Sequence, residues 1–130
     1  MKTALCYDDV SLVPQYSDIR SRGEVDISAV FDDSIRFRLP IISSPMDTVT
    51  ETDMAIAMGN AGGSSVIHRY NTVEKQCNLA LEAIRIGTQN GTVYVGAAVG
   101  VTGDFFERAQ GLVNVGVSFL CVDVAHGHHI

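Results

Sequence analysis

The sequence contains no tryptophan, and positive charge is scarce. Its 130 residues include 9 Lys and Arg against 15 Asp and Glu, which gives a net charge of −6. Surfaces that bind nucleic acid usually carry a basic stripe. The nearest approach to one is a group of arginines in which acidic residues are interleaved: Arg20, Arg22, Arg36 and Arg38. We therefore expect no nucleic-acid partner.

Long apolar runs are also absent. No stretch approaches the ~20 uninterrupted apolar residues of a membrane helix. The N-terminus reaches Asp8 and Asp9 before any apolar signal-peptide core develops. Apolar residues nevertheless make up 46% of the chain and charged residues 18%, which is enough for a packed core. These patterns predict one modest cytoplasmic domain with no membrane contact.

Cysteine is sparse and scattered. The 3 cysteines, Cys6, Cys77 and Cys121, show no CxxC spacing. An odd number of distant cysteines is typical of reduced thiols and not of a disulfide framework or a zinc site. Cys121 lies in an apolar run, which favours a small buried hydrophobic residue.

Residues 1–38 are irregular in pattern and predict an N-terminal arm packed across a larger body. From Leu39 onwards, apolar runs alternate with helical patterns. The predicted strands are 39–43, 65–68, 93–98 and 119–124, and the predicted helices are 51–60, 73–86 and 104–114. The residues expected to cap or end these helices are Thr50 or Thr52, Gly62, Thr72, Gly87, the pair Asp104 and Glu107, and Gly116.

Such alternation favours an α/β fold with a parallel sheet. The repeat of about 27 residues suits the (β/α)8 or TIM barrel. Residues 39–130 would supply strands 1–4 and helices 1–3, which is the first half of a barrel. Half a barrel leaves two open sheet edges. We therefore expect the chain to pair with a missing C-terminal half or with other copies, and not to be a compact monomer by itself.

Polar residues and glycines gather where the predicted strands end. These groups are 43–47, 68–71, 96–100 and 123–128. Because the carboxyl ends of parallel strands share one rim, the groups should converge around a polar ligand with hydroxyls. Three of them also have simpler interpretations. Ser43-Ser44-Pro45 is typical of a turn, His68 could be a hydrogen-bonded residue at a strand end, and Gly96 and Gly100 could only allow close packing.

Asp123 is harder to explain as a structural residue. A carboxylate at the end of an apolar strand needs partners, and a ribose diol is one such partner. The alternative is that Asp123 ties down a neighbouring loop. The run from His126 to His129 suggests a metal, but no cysteine or carboxylate cluster lies near it, so we predict no metal site. The glycines form no GxGxxG motif, which argues against a Rossmann domain.

Several stretches together resemble the IMP dehydrogenase/GMP reductase family. They follow the order of the family and cover nearly the whole chain. The most specific is Ser-Ser-Pro-Met-Asp-Thr-Val-Thr-Glu at 43–51, and the others are 7–14, 54–58, 62–63 with 67–68, 95–100 and 122–128.

The resemblance implies a barrel that oxidises IMP to XMP with NAD in guanine nucleotide synthesis. Ser44 and Met46 would line the purine nucleotide site, and Asp123 would hold the ribose next to the nicotinamide. The cofactor site would extend to Ala125 and His126, with Val101 and Thr102 near the adenine end. The family also implies a homo-oligomer, commonly a tetramer.

Two departures from the family limit what can be carried over. Only residues 87–92 separate the second helix from the third strand, where dehydrogenases usually insert CBS modules, so the chain looks like a form without CBS domains. The catalytic cysteine loop, the monovalent-cation site, the phosphate loops and the flap belong to the second half of the barrel. None of the three cysteines fits the catalytic motif, so we assign no catalytic residue.

The motifs indicate the family more firmly than the activity within it. The 43–51 motif resembles the dehydrogenase, because the reductase tends to have Ala-Asn-Met-Asp at this place. A GMP reductase, which would reduce GMP to IMP with NADPH, is the alternative. A non-catalytic nucleotide-binding or interaction module is another. In each case we expect the isolated 130-residue chain to be catalytically silent.

Overall fold

The computed structural model describes residues 2–88, Gly91 and residues 93–128. Within them lies an antiparallel hairpin, β1 (Ala29–Val30) and β2 (Arg36–Phe37). The main sheet consists of β3 (Ile42–Ser43), β4 (Ser64–Ile67), β5 (Tyr94–Val99) and β6 (Phe119–Val122). The helices are α1 (Thr52–Ala61), α2 (Val73–Gly87) and α3 (Phe105–Asn114), and two 3-10 turns, Tyr7–Asp9 and Arg22–Glu24, precede the hairpin.

The strands of the main sheet are parallel and lie in sequence order, β3-β4-β5-β6. In register, Val66 lies beside Gly96, and Gly96 beside Phe119. Sequential parallel strands joined by helices are the arrangement of a (β/α)8 barrel. The predicted α/β class and the first half of such a barrel are therefore confirmed.

One face of the sheet packs against the helices. The core consists of small and branched apolar side chains, among them Ala55, Ala80 and Ala83 from the helices and Ile67 and Val95 from the strands, each fully buried. Alanines at these contacts let the helix backbones approach the sheet closely. All four residues of β4 are buried, as expected for a strand covered on both faces.

The opposite face carries an aromatic cluster at the amino ends of the strands. Phe31 of the hairpin lies 4.9 Å from Phe119 and 5.5 Å from Phe37 between ring centroids, and Phe37 lies 5.8 Å from Tyr94. Tyr94 and Phe119 begin β5 and β6. The hairpin therefore covers the amino end of the half-barrel and leaves the carboxyl ends of the strands to the ligand-facing loops.

Local capping predictions had mixed outcomes. Thr72 caps α2 as predicted, because its hydroxyl accepts from the Lys75 amide at 3.1 Å. Gly62 and Gly116 follow α1 and α3 with φ of +90° and +89°, the left-handed conformation that favours glycine after a helix.

Other capping predictions were wrong. Glu51 is the N-cap of α1, and the Thr50 hydroxyl bonds to the preceding loop instead. Asp104 is the N-cap residue of α3, as predicted, but the predicted capping bond is missing, because its carboxylate pairs with Arg108. Gly87 is the last residue of α2 and has no positive φ; it allows close packing, since a Cβ there would lie 2.7 Å from Val93.

The N-terminal segment differs from the expected packed arm. Residues 2–27 are exposed throughout, including Leu12 and Tyr16 with exposed fractions of 98% and 94%. Packing against the body begins only with the hairpin, where Ile35 and Phe37 are buried.

A substitution at Gly96 tests the register of β5 and β6. A Cβ at Gly96 would lie 2.3 Å from the Phe119 ring, and Phe31 packs on that ring and restricts its movement. Gly96→Ala should therefore destabilise the chain by about 1–3 kcal/mol, as overpacking does, in urea unfolding followed by circular dichroism. Gly127→Ala, where a Cβ would meet no atom within 4 Å, is the matched control. Equal unfolding midpoints for both variants would contradict the register.

Candidate functional site

The loop after β3 presents Ser44 and Met46 to solvent. The Met46 amide donates to the Ser44 carbonyl at 2.9 Å, and the Met46 carbonyl accepts from the Thr50 amide at 2.9 Å. The Thr50 hydroxyl donates to the Ser44 carbonyl at 2.6 Å and lies 3.0 Å from the Ser43 hydroxyl. Thr50 is fully buried, whereas Met46 is 51% exposed. A buried threonine therefore fixes a tight turn that leaves the two predicted nucleotide residues accessible.

His68, directly after β4, is hydrogen-bonded at both ring nitrogens. Its Nδ1 accepts from the Tyr70 amide at 3.1 Å, so Nε2 carries the proton and donates to the Glu51 carboxylate at 3.1 Å. Lys75 Nζ lies 3.6 Å from the same oxygen. The bond from His68, and then the charge of Lys75, hold the pKa of the Glu51 carboxyl below its usual value. His68 therefore matches the simpler interpretation of a hydrogen-bonded strand-end residue.

A buried polar network connects the carboxyl ends of β4 and β5. The Gln76 side chain of α2 is fully buried, and its amide nitrogen donates to the Ile67 carbonyl at 3.1 Å and to the Ala98 carbonyl at 2.9 Å. Its oxygen accepts from Arg108 at 2.8 Å. The network thus joins two strand ends to α2 and α3 at the level of the rim.

Arg108 completes this network, and its side chain is only 5% exposed. It donates to the Asn71 carbonyl at 2.9 Å and to both oxygens of Asp104, at 2.7 and 3.2 Å. These hydrogen bonds hold the pKa of the Asp104 carboxyl below its usual value. The result is a fixed loop after β4 and a fixed start of α3.

Asp123 follows β6 and is held to β5, because its amide donates to the Val99 carbonyl at 2.9 Å. Its partly exposed carboxylate lies 3.8 Å from Arg69 Nε. Val101 and Thr102, in the loop after β5, are exposed, as are Ala125 and His126 in the loop after β6. The rings of His126 and His128 lie 6.4 Å apart.

The structure brings some of the predicted site residues together and separates others. β5 and β6 are paired, so the loops with Val101 and Thr102 and with Asp123 to His126 are neighbours. Ser44 and Met46 follow β3 at the other edge of the sheet. Three strand spacings, about 14 Å, separate β3 from β6. The rim therefore carries two separate groups of candidate residues.

Four side chains that shape this rim were missed in the sequence. Thr50 was interpreted as a helix cap, and Arg69 was grouped at the rim without a role. The sequence did carry a signal for Gln76, because a glutamine stands there inside the apolar stripe of α2. Arg108 gave no signal, because an arginine four residues after an aspartate on a helix usually forms a solvent-exposed pair.

The cysteines and histidines were the other candidate residues in the sequence. Cys6, Cys77 and Cys121 are free thiols, as predicted. Cys77 and Cys121 are half-buried, and burial raises the pKa of both thiols. Across the ranges that the structure describes, no three of the His, Cys, Asp and Glu side chains are grouped so that they could hold a metal ion; His129 of the histidine run lies outside those ranges. The helices among the same residues all lack the length and apolarity needed to cross a membrane.

Comparisons with known proteins agree on one family. The model of the IMP dehydrogenase / GMP reductase domain matches residues 4–130. An inosine-5'-monophosphate dehydrogenase of Nitrosopumilus maritimus (strain SCM1) is 46% identical over 87 residues, which cover 67% of this chain and 18% of that protein. One of Staphylococcus aureus (strain Mu50 / ATCC 700699) is 42% identical over 92 residues, 71% of this chain and 18% of its own length. The chain thus matches less than a fifth of the length of these relatives.

The lowered pKa of Glu51 predicts that this carboxylate contributes to the acid sensitivity of the fold. Its folded pKa lies below the usual value of 4.5, so its stabilising contribution is complete above that value and is lost as the pH falls through the lowered one. Glu51→Gln should therefore flatten the decline of melting temperature between about pH 5 and pH 3. Glu107→Gln, which removes an exposed carboxylate of α3, is the control. A decline as steep in Glu51→Gln as in the unmodified chain would contradict this role.

Proposed function

The chain belongs to the IMP dehydrogenase/GMP reductase family, and from this premise we propose that it forms the N-terminal half of the barrel of an NAD-dependent IMP dehydrogenase. That enzyme would oxidise IMP to XMP on the route to guanine nucleotides. The observation that carries the proposal is the match of the family model to residues 4–130. Relatives that are named as the dehydrogenase, at 46% and 42% identity, support this activity.

The two groups of rim residues would serve two ligands. Ser44 and Met46 would line the IMP site, since their loop is held in a tight turn that leaves both accessible. Asp123 would take the ribose near the nicotinamide, Ala125 and His126 would extend this cofactor site, and Val101 and Thr102 would lie near the adenine. The separation of the two groups across the sheet suits two ligands that meet at their reactive ends.

The Asp123 carboxylate fits a ribose diol. Among the described residues it accepts no hydrogen bond, and it is about one third exposed, so its oxygens are free to accept two hydroxyl protons. NAD would supply the acceptor for the hydride that leaves the purine. The residues of this half would bind and orient the two ligands, because no catalytic nucleophile is assigned to them.

A completed barrel requires more protein than this half. In the part of the chain that is described, β3 and β6 are each paired on one side only, and Ile42 and Val122 are 40% and 59% exposed. We propose that the C-terminal half of the barrel, or other copies of the chain, cover these edges, and that the complete enzyme is a cytoplasmic homo-oligomer, a tetramer as is common in the family. A monovalent cation would bind only in the complete barrel.

GMP reductase is the second candidate, because the family model is shared by both activities and the short connection between α2 and β5 leaves no room for CBS modules. It would use NADPH and convert GMP to IMP. Assay of the complete barrel with IMP and NAD, and separately with GMP and NADPH, distinguishes the two. A non-catalytic nucleotide-binding or interaction module would bind nucleotide and turn over neither pair.

We expect residues 1–130, purified alone, to produce no NADH from IMP and NAD. The reaction needs a covalent nucleophile and a hydrolytic step, and neither is assigned to this half. Fluorescence of NADH over many minutes measures the outcome, with a complete barrel that contains the same residues as the positive control. Steady production of NADH over several turnovers by residues 1–130 alone would refute the proposal that this half binds the ligands without carrying out the reaction.

Within a complete barrel, Asp123→Ala should weaken NAD binding by roughly ten- to a hundredfold, because charge-assisted bonds to the diol contribute about 1.5–3 kcal/mol. IMP binding should change little, since Ser44 and Met46 serve that ligand. Calorimetric titration with each ligand measures both affinities, and Asp53→Ala, which removes an exposed carboxylate from α1, controls for charge. Equal losses for both ligands with a large fall in melting temperature would show that Asp123 only ties down its loop.

A further inference from the structure

Arg69 links the ends of three neighbouring strands. It follows β4 after His68, and its Nη2 donates to the Asp123 carbonyl beyond β6 at 3.1 Å. Its guanidinium passes over the end of β5, where a Cβ on Gly100 would lie 3.4 Å from Nη1. The backbone of Asp123 is therefore held from the ends of β5 and β4, by the Val99 carbonyl on its amide and by Arg69 on its carbonyl.

The contact of Arg69 with the Asp123 carboxylate is of a different kind. Nε lies 3.8 Å from Oδ2, which is close enough for attraction between charges but too long for a hydrogen bond. This Nε is buried and has no hydrogen-bond partner among the described residues. The geometry therefore keeps the carboxylate under a positive charge while its oxygens remain free acceptors.

A second arginine–aspartate pair in the same half-barrel gives the contrast. Arg108 donates two hydrogen bonds to Asp104, at 2.7 and 3.2 Å, and thereby engages both of its oxygens. That pair stabilises the start of α3 and leaves fewer acceptor positions for a ligand. Arg69 and Asp123 have the same chemistry but stand about 1 Å further apart, so the oxygens of Asp123 are left open.

Neighbouring residues hold Arg69 in this position without help from the carboxylate. The guanidinium carbon lies 5.7 Å from the centroid of the Tyr70 ring, within the range of a cation–π contact. Tyr70 in turn donates its amide to His68 Nδ1 at 3.1 Å. Residues directly after β4 thus fix the position of Arg69, and Arg69 in turn holds the backbone of the loop after β6.

We propose that Arg69 is a positioning residue for the dinucleotide cofactor. It fixes the backbone of Asp123 and holds its carboxylate at charge-pair distance, so that both oxygens stay aimed at the rim and free to accept the hydroxyls of a ribose. This inference rests on the proposed function, in which Asp123 takes the ribose of the cofactor. Arg69 acts through Asp123 and does not touch the reacting atoms.

The test is a double-mutant cycle in a complete barrel that contains this chain. Arg69→Met should weaken NAD binding roughly tenfold and leave IMP affinity within about twofold. In the background of Asp123→Ala, Arg69→Met should cause no further loss, because two residues that act as one unit are not additive. Arg69→Lys keeps the charge but loses the paired contacts, so its NAD affinity should lie between those of the unmodified protein and Arg69→Met.

Arg85→Met is the matched control. Arg85 is exposed in the last turn of α2, at the opposite end of the barrel, so its loss tests whether net charge alone affects the anionic cofactor. NAD affinity should be unchanged in this variant. A loss equal to that of Arg69→Met would overturn the proposal.

Further outcomes are also decisive. Unchanged NAD affinity in Arg69→Met, or a full additional loss in the Asp123→Ala background, would overturn the role of Arg69. So would parallel losses of NAD and IMP affinity with a lower melting temperature in both Arg69→Met and Arg69→Lys, because a purely structural residue affects both ligands. If Asp123→Ala itself binds NAD normally, the proposed function of Asp123 fails; if Asp123→Ala weakens NAD binding and Arg69→Met does not, only the inference on Arg69 fails.

Discussion

The hydrogen bonds of Gln76 and Arg108 are the constraint on which the rim depends. Arg108 is a buried positive charge, and such a charge is tolerated only when it is paired and fully hydrogen-bonded. Its partners are Gln76, Asp104 and the Asn71 carbonyl. Gln76 in turn donates to the carbonyls of Ile67, the last residue of β4, and of Ala98, the last but one of β5. Two strands and two helices are therefore held in one arrangement at the level where the ligand loops begin.

That arrangement explains why the two ends of the half-barrel differ. At the amino ends of the strands, aromatic rings pack against one another, and the Tyr94 hydroxyl donates to the Ser34 carbonyl. At the carboxyl ends, polar groups are placed by hydrogen bonds that Thr50 and Gln76 donate and by one that His68 accepts from the Tyr70 amide. A ligand with hydroxyls and charge needs fixed donors and acceptors, and the carboxyl end of a barrel is where such ligands bind.

The functional conclusions depend on the same division. The loops after β5 and β6 are adjacent because these strands are paired, so one ligand can contact both. The loop after β3 lies at the opposite edge and serves a different ligand in the proposed enzyme. The open edges at β3 and β6 and the exposed residues 2–27 mark surfaces that the rest of a barrel or further copies would cover. In the proposed enzyme, the binding of two ligands and the assembly would thus use different parts of one half-barrel.

The sequence by itself determined the features that depend on short-range rules. The alternation of apolar runs and helical periods predicted the parallel sheet, and glycine predicted the helix ends at Gly62 and Gly116, because each needs only the local backbone conformation. The family was evident from the motifs, of which the 43–51 string is the most specific, and the family model confirmed it.

The tertiary structure alone decided which partner each polar side chain takes. Thr50 obeys a local capping rule in the sequence, yet its hydroxyl bonds to the Ser44 carbonyl of the preceding loop. Asp104 and Arg108 are only four residues apart, and the tertiary structure decides that Arg108 is buried against Gln76 and the Asn71 carbonyl. Arg69 and Asp123 are 54 residues apart and meet only because β4, β5 and β6 lie side by side. Hydrogen bonds act over about 3 Å, so a pairing between distant residues is fixed by the strand register and not by the order of residues.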